Sequence, residues 1–83
     1  IGVSALSLEH GFTTSDEIAA NIKKQMIKSA EKVIVVSDSS KFGKVSFCPV
    51  CEYYEIDVLI TDQNISQEYL DAFAKKGITV IMV

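Results

Sequence analysis

The hydrophobic positions of the chain fall into four short runs that predict β-strands. These runs cover residues 1–6, 33–37, 56–61 and 78–83. The run from Val33 to Val36 lacks polar alternation, which is typical of a strand buried on both faces of a parallel sheet. Because the strands alternate with segments of helical period, we predict an α/β fold, a mainly parallel sheet with flanking helices.

Two segments with a helical period separate the predicted strands, and they cover residues 15–31 and 66–76. In the first segment an apolar residue recurs at every fourth position: Ile18, Ile22, Met26 and Ala30. Thr14 followed by Glu17 fits a capping box at its start. The pattern predicts a helix that packs on the sheet through this stripe. Residues 44–55, which include the single proline, are predicted to be irregular.

Composition narrows the class of protein. The chain has 83 residues, 48% of them hydrophobic, and a net charge of −3. Its lysines are spread out, whereas a surface that binds nucleic acid carries a basic stripe. The apolar content is high for one small domain, so we interpret residues 1–83 as part of a larger domain and expect covered apolar surface or a homo-oligomer.

The sequence also bears on location. No apolar run approaches the length of a membrane span, and no signal-peptide pattern opens the chain. Two closely spaced cysteines without other marks of secretion are typical of a reducing compartment. We therefore expect a cytoplasmic protein that makes no contact with a membrane.

The segment that follows the central strand carries the first candidate chemistry. Asp38, Ser39, Ser40 and Lys41 come directly after the apolar run. Ligands of open α/β sheets bind beyond the carboxyl ends of the strands. Two hydroxyl groups and a mobile ammonium there suit a phosphate. The alternative interpretation, an ordinary turn with a solvated lysine, stays open at this point.

A second polar segment is expected at the same edge of the sheet. Thr13 and Thr14 lie in a predicted loop before the first helix, where free backbone amides attract anions. Asp38 and Asp62 both follow strands and either face a ligand crevice or bond loop amides. Two donor-rich loops on one edge favour a small anionic ligand.

The remaining candidates point to structure and not to chemistry. Cys48 and Cys51 have the spacing of half a zinc site or a redox pair, but His10 is the only other good zinc ligand. We interpret both cysteines as partly buried structural thiols and His10 as a solvated turn residue. The sequence predicts no catalytic residue, no metal site and no cofactor.

Four segments follow one another at characteristic spacings: Gly11 to Thr14, Lys23 to Ile27, Val33 to Gly43 and Ile56 to Asp62. Together they resemble the C-terminal effector domain of DeoR-type bacterial transcriptional regulators. The segment from Asp38 to Gly43 is the most specific part of the resemblance, which extends over essentially the whole chain.

The resemblance implies a two-part protein, in which an N-terminal winged helix-turn-helix binds DNA and a second domain senses a phosphorylated sugar. The sensor fold resembles ribose-phosphate isomerase and glucosamine-phosphate deaminase. Residues 1–83 then form the C-terminal part of the sensor, without the DNA-binding domain and without the upstream part of the sensor. In the related isomerases a lysine at the position of Lys41 contacts substrate, and the Thr13-Thr14 loop falls where those enzymes line the sugar site.

The chain departs from the family pattern at two places. Many members carry Asp-Gly where this chain has Ser4 and Ala5, and the related isomerases place a catalytic glutamate near Asn21. An asparagine cannot act as a general base, so the sequence favours a binding domain of a transcription regulator over an enzyme. The alternative from another class is a fragment of a sugar-phosphate isomerase or deaminase.

Overall fold

A computed structural model describes all 83 residues and contains six strands, two α-helices and two 3-10 turns. The strands are β1 (Ala5–Ser7), β2 (Gly11–Thr14), β3 (Ile34–Val36), β4 (Cys48–Cys51), β5 (Val58–Thr61) and β6 (Thr79–Met82). The helices are α1 (Glu17–Ser29) and α2 (Gln67–Lys75), and the 3-10 turns are Ser39–Lys41 and Tyr53–Glu55. The predicted α/β class is confirmed.

Three of the predicted strands form a parallel sheet in the order β3-β5-β6. Val36, Ile60 and Ile81 lie side by side in one row across it. The start of the chain lies beside β3, where Gly2 forms a single parallel bridge with Val36. The three strands of the parallel sheet therefore lie within the hydrophobic runs 33–37, 56–61 and 78–83.

The other three strands form an antiparallel sheet that the hydrophobic pattern does not predict, in the order β1-β2-β4. The predicted strand 1–6 is divided, because its first residues pair with β3 and its last residues pair with β2. Strand β4 lies within the segment predicted to be irregular. Gly11 begins β2 with φ +70°, and a side chain there would place a Cβ atom 2.7 Å from the Cys51 carbonyl oxygen.

One core joins the two sheets and α2. Phe12, Phe73, Leu6, Leu59 and Val35 are its largest fully buried side chains. Each such side chain contributes about 1.5–3 kcal/mol through burial. Aromatic rings hold the centre together, since Tyr53 lies 5.0 Å from Phe12 and 5.5 Å from Phe73 between ring centroids.

Helix α1 begins two residues later than predicted, and the face that it turns toward the core is not the predicted one. Its N-cap is Asp16, whose carboxylate accepts from the Ile18 amide at 3.2 Å, so the capping box at Thr14 is wrong. Ala20 is its one buried residue, and it packs against β4 and β2. The predicted stripe of Ile18, Ile22 and Met26 is exposed. The inward face of α1 is therefore the side that carries Ala20 and Ile27, and not the predicted stripe.

Strand β3 also differs from its prediction. Val35 is fully buried, whereas Ile34 and Val36 are exposed on the opposite face of the parallel sheet. Helix α2 packs on one side of the sheet, where Phe73 is buried. The other side is open in this chain, so the strand is buried on one face only.

Candidate functional site

The carboxyl edge of the parallel sheet carries the turn Ser39–Lys41, which follows β3. Asp62 follows the neighbouring strand β5, and its Oδ2 atom accepts from the Ser39 amide at 2.9 Å. The same carboxylate accepts from the Asn64 amide at 2.8 Å through Oδ1. Because parallel strands end at the same edge, the sequence places Asp62 where it can hold the turn.

Asp38 caps the turn from its other end. Its Oδ1 atom accepts from the Ser40 amide at 3.0 Å and also from the Ser40 hydroxyl. The pKa of Asp38 lies below its ordinary value, mainly because the Ser40 hydroxyl donates to its carboxylate. The positive charge of Lys41 lowers this pKa by a smaller amount. The amide of Ser39 likewise lowers the pKa of Asp62. Both carboxylates therefore accept hydrogen bonds from loop amides. Of the two roles predicted for them, facing a ligand or bonding loop amides, this is the structural one.

Aromatic packing fixes the residue that follows Lys41. The Phe42 ring lies 5.0 Å from Tyr69 and 6.2 Å from Phe73 between centroids. One residue later, the Gly43 amide donates to the Leu6 carbonyl oxygen at 2.8 Å. The turn is thus held by two carboxylates before Lys41 and by the core after it.

Lys41 is the one cation on this turn. Its side chain is half-buried, and no carboxylate lies within 4.0 Å of its ammonium group. Ser40 is exposed beside it. A rigid turn that presents an ammonium without an ion-pair partner can bind an anion at a small entropic cost.

A crevice of about 170 Å³ opens at the same edge on the side of Asp38 and Asp62, and Lys41 does not line it. It is lined by residues that end the parallel strands: Val36, Ser37, Asp38, Ile60, Thr61, Asp62 and Val83. The Thr61 hydroxyl is buried and has no hydrogen-bond partner. No sequence signal identifies Thr61, because a single threonine at the end of a strand belongs to no recognisable motif.

Thr13 and Thr14 do not form a loop at this edge. Both are buried in β2, between β1 and β4. The Thr13 hydroxyl accepts from the Ser46 amide at 2.9 Å, and the Thr14 hydroxyl bonds the Ser4 hydroxyl at 3.1 Å. The loop prediction for this pair is wrong, because their hydroxyl groups already bond within the fold.

The strand arrangement also separates this pair from the turn. Leu6 of β1 pairs with Phe12 on one side and with Phe42 on the other, so β1 lies between β2 and the segment that carries Lys41. The amino end of α1 is no anion site either, because the Asp16 carboxylate occupies the Ile18 amide and Glu17 adds a second negative charge.

The cysteines lie on strand β4 and not in a loop. Both are free, with Cys48 half-buried and Cys51 buried. Burial raises the pKa of the Cys51 thiol to about 12, so this thiol is protonated and unreactive at neutral pH. His10 is exposed and lies 3.9 Å from Glu9 between Nε2 and Oε2. No group of three or more histidine, cysteine and acidic side chains could hold a metal ion.

Neither helix has the length and apolar character that crossing a lipid bilayer requires. Helix α1 has 13 residues, four of which are lysine or glutamate.

The sequence matches the family described as the DeoR C-terminal sensor domain over residues 1–63. Three similar proteins have names that assign them to transcription. A protein of Escherichia coli O157:H7 that is named as an aga operon transcriptional repressor is 39% identical over 83 residues, which are all of this chain and 31% of that protein. The HTH-type transcriptional regulator GlpR of Haloferax volcanii is 37% identical over 98% of this chain and 32% of its own length.

The third relative is the HTH-type transcriptional repressor GlcR of Bacillus subtilis, which is 39% identical over 99% of this chain and 31% of its own length. The chain thus spans about a third of the length of these curated relatives. Their names are those of transcriptional regulators and not of enzymes, which favours a regulator over an isomerase or deaminase fragment. The chain belongs to the DeoR family of transcriptional regulators, whose C-terminal sensor domain it matches over residues 1–63.

Proposed function

We propose that the chain is the effector-binding part of a regulator of sugar metabolism, and that it binds a phosphorylated sugar at the carboxyl edge of its parallel sheet. The observation that carries this proposal is the Lys41 ammonium, which has no ion-pair partner on a turn held by Asp38 and Asp62. The intact protein binds DNA through a separate winged helix-turn-helix domain, acts in the cytoplasm and forms a homo-oligomer.

In this proposal Lys41 binds the phosphate, because hydrogen bonds between charged groups are the strongest that an exposed site can offer. Ser39 and Ser40 lie beside it: their amides and the Ser40 hydroxyl donate to Asp62 and Asp38, so in this proposal their hydroxyl oxygens accept from hydroxyl groups of the sugar. Asp38 holds the turn in its binding shape. Thr13 supports the site indirectly, since its hydroxyl fixes the segment after Gly43 through the Ser46 amide.

The rest of the pocket lies outside these residues. Ligand pockets have volumes of about 300–1,000 Å³, whereas the crevice at the turn has about 170 Å³. We infer that residues 1–83 supply one wall of a sensor whose complete fold resembles ribose-phosphate isomerase. The parallel sheet β3-β5-β6 and its flanking helix α2 support that fold.

Regulation requires that the sugar phosphate bind one arrangement of the regulator more tightly than another, because a ligand with equal affinity for both shifts nothing. A turn with fixed geometry suits this role. It binds well only when the remaining pocket walls stand in one position, and that position can then set how the DNA-binding domains are placed.

The test compares Lys41→Ala with Lys75→Ala in the intact protein. Lys75 carries the same charge but lies in the last turn of α2, before the amino end of β6 and therefore far from the carboxyl edge. A hydrogen bond to a charged group contributes about 1.5–3 kcal/mol, so Lys41→Ala should weaken binding about 10- to 100-fold. Calorimetry with a panel of hexose and pentose phosphates, and with inorganic phosphate, measures the change.

Lys75→Ala should bind like the wild type. Equal affinities in wild type and Lys41→Ala would remove Lys41 from the site. Failure of the wild type to bind any sugar phosphate of the panel would overturn the proposed function itself.

A further inference from the structure

Beyond the site, the structure leaves one continuous apolar surface open to solvent. It consists of Ile22 and Met26 on α1 and of Ile34, Val36, Ile60 and Ile81 on the parallel sheet. The exposed fractions are 57% for Ile22, 50% for Met26, 53% for Val36 and 45% for Ile81. We call these six residues the open surface.

The two parts of the open surface meet in a hollow of about 240 Å³ between the end of α1 and the edge of the sheet. Met26 and Ile34 both line this hollow, together with Ile1. From there the surface continues across the row Val36, Ile60 and Ile81, which the strand register places side by side. The apolar residues are therefore contiguous and not scattered.

Charged side chains lie at both ends of the open surface. Lys32 lines the hollow at one end, and Asp38 and Asp62 line the crevice at the other. Parallel sheets are normally covered by helices on both faces, and here α2 covers only one. A contiguous apolar patch with a polar margin marks a contact surface.

We propose that helices from the part of the sensor outside these 83 residues, within the same polypeptide, cover the open surface. The matched relatives are about three times as long as the matched region, which leaves ample chain for this role. The position of Ile1 gives the direction. Its nitrogen donates to the Ile34 carbonyl oxygen at 2.7 Å and its side chain lines the hollow, so a segment joined to Ile1 emerges on the open surface.

Attachment to the same chain also favours this occupant energetically. A tethered segment acts at an effective concentration in the millimolar range, far above the concentration of a second regulator molecule. The apolar row needs a partner with an apolar stripe, and an amphipathic helix provides one. The covering segment would reach Val36 and Ile60, which also line the crevice, and would thereby form its second wall.

The experiment measures the accessibility of the open surface in the intact protein. Cysteine is introduced singly as Ile22→Cys, Ile81→Cys and the control Tyr54→Cys, whose residue is 84% exposed and lies outside the open surface. Maleimide labelling is followed by peptide mass spectrometry. The native thiol of Cys51 is buried, so its labelling shows that a variant has unfolded. If Ile22→Cys or Ile81→Cys is labelled at Cys51, Met26→Cys takes its place.

We expect cysteines at positions 22 and 81 to react about 100-fold more slowly than the cysteine at position 54, as for groups that require local opening. The protection should not change on dilution. Rates within a few-fold of the control would show that the surface stays open, and protection that disappears on dilution would show that a second copy covers it. Either result overturns the proposal.

Photo-cross-linking identifies the occupant directly. A p-benzoylphenylalanine residue in place of Ile22 or Ile81 should give products of monomer mass that join the open surface to residues outside this 83-residue region. Products of dimer mass, or no product at either position, would contradict the proposal. Loss of sugar-phosphate binding by Lys41→Ala is a separate result, so this test and the test of the proposed function can fail independently.

Discussion

Thr13 and Thr61 are two buried threonines that differ in one respect, the bonding of the hydroxyl group. Each is 3% exposed, and each lies in a β-strand. The Thr13 hydroxyl accepts from the Ser46 amide, whereas the Thr61 hydroxyl has no partner. A buried polar group without a partner costs about 1–3 kcal/mol, while replacement of the hydroxyl by a methyl group keeps the shape of the side chain. The same substitution should therefore have opposite effects at the two positions.

We expect Thr61→Val to raise the free energy of unfolding by about 1 kcal/mol, because it removes an unpaired hydroxyl from the interior. Thr13→Val should lower the free energy of unfolding by about 1–3 kcal/mol, because the Ser46 amide loses its acceptor. Urea denaturation of both variants, compared with the wild type at constant m-value, gives the two changes. Destabilisation by Thr61→Val would show that its hydroxyl has a bonding partner in solution.

At the scale of the elements, hydrophobic periodicity predicts the regular parts well. Helix α1 is predicted at 15–31 and found at Glu17–Ser29, and α2 is predicted at 66–76 and found at Gln67–Lys75. Strand β4 is not predicted because it contains Pro49, and proline is unusual in strands. Its pairing with β2 is also irregular, since a register shift interrupts it. The period of α1 shows that one of its faces is apolar, but it does not show what lies against that face.

The site is predictable where it depends on strand order alone. The turn after β3 lies at the carboxyl edge as expected, because any buried strand of a parallel sheet must end there. The Thr13-Thr14 prediction is wrong because α1 begins after Asp16, two residues beyond the predicted cap, and this leaves the threonines in a strand. Antiparallel pairing across distant segments has no local signal in the sequence.

The carboxylates at the turn predict how this element responds to acid. The pKa of Asp62 is lower in the folded protein than its ordinary value, because the Ser39 amide donates to it. A lowered pKa means that its stabilisation is present at neutral pH, above the unfolded value of about 3.9, and is lost as the pH falls through the lower folded value. Asp62→Ala should therefore flatten the acid dependence of stability below about pH 4.

The matched control for this prediction is Asp71→Ala. Asp71 is exposed on α2 and accepts a hydrogen bond from the Gln67 side-chain amide. Denaturation midpoints of wild type and both variants, measured between neutral and strongly acidic pH, provide the comparison. An acid dependence in Asp62→Ala equal to that of the wild type would show that this carboxylate does not hold the turn.

At the scale of the whole molecule, the buried and open surfaces have different roles. The aromatic core around Phe73 joins α2 to both sheets and holds the carboxyl edge in place. The open surface on α1 and on the far side of the parallel sheet contributes nothing to that core. It therefore remains free to join these residues to the rest of the sensor, at the same edge as the turn on which we propose that Lys41 binds a ligand.

If the open surface is normally covered, the 83-residue chain by itself should self-associate through it. Burial of each large aliphatic side chain contributes about 1.5–3 kcal/mol, so replacing Val36 by a charged residue should weaken self-association at least about 10-fold. Sedimentation velocity of the chain, of Val36→Lys and of the control Tyr54→Lys over a range of concentrations measures this effect. Tyr54 is more exposed than Val36 but lies outside the open surface, so its variant should associate like the wild type. A monomer at every concentration, or equal loss of association in both variants, would show that the open surface does not drive association of this chain.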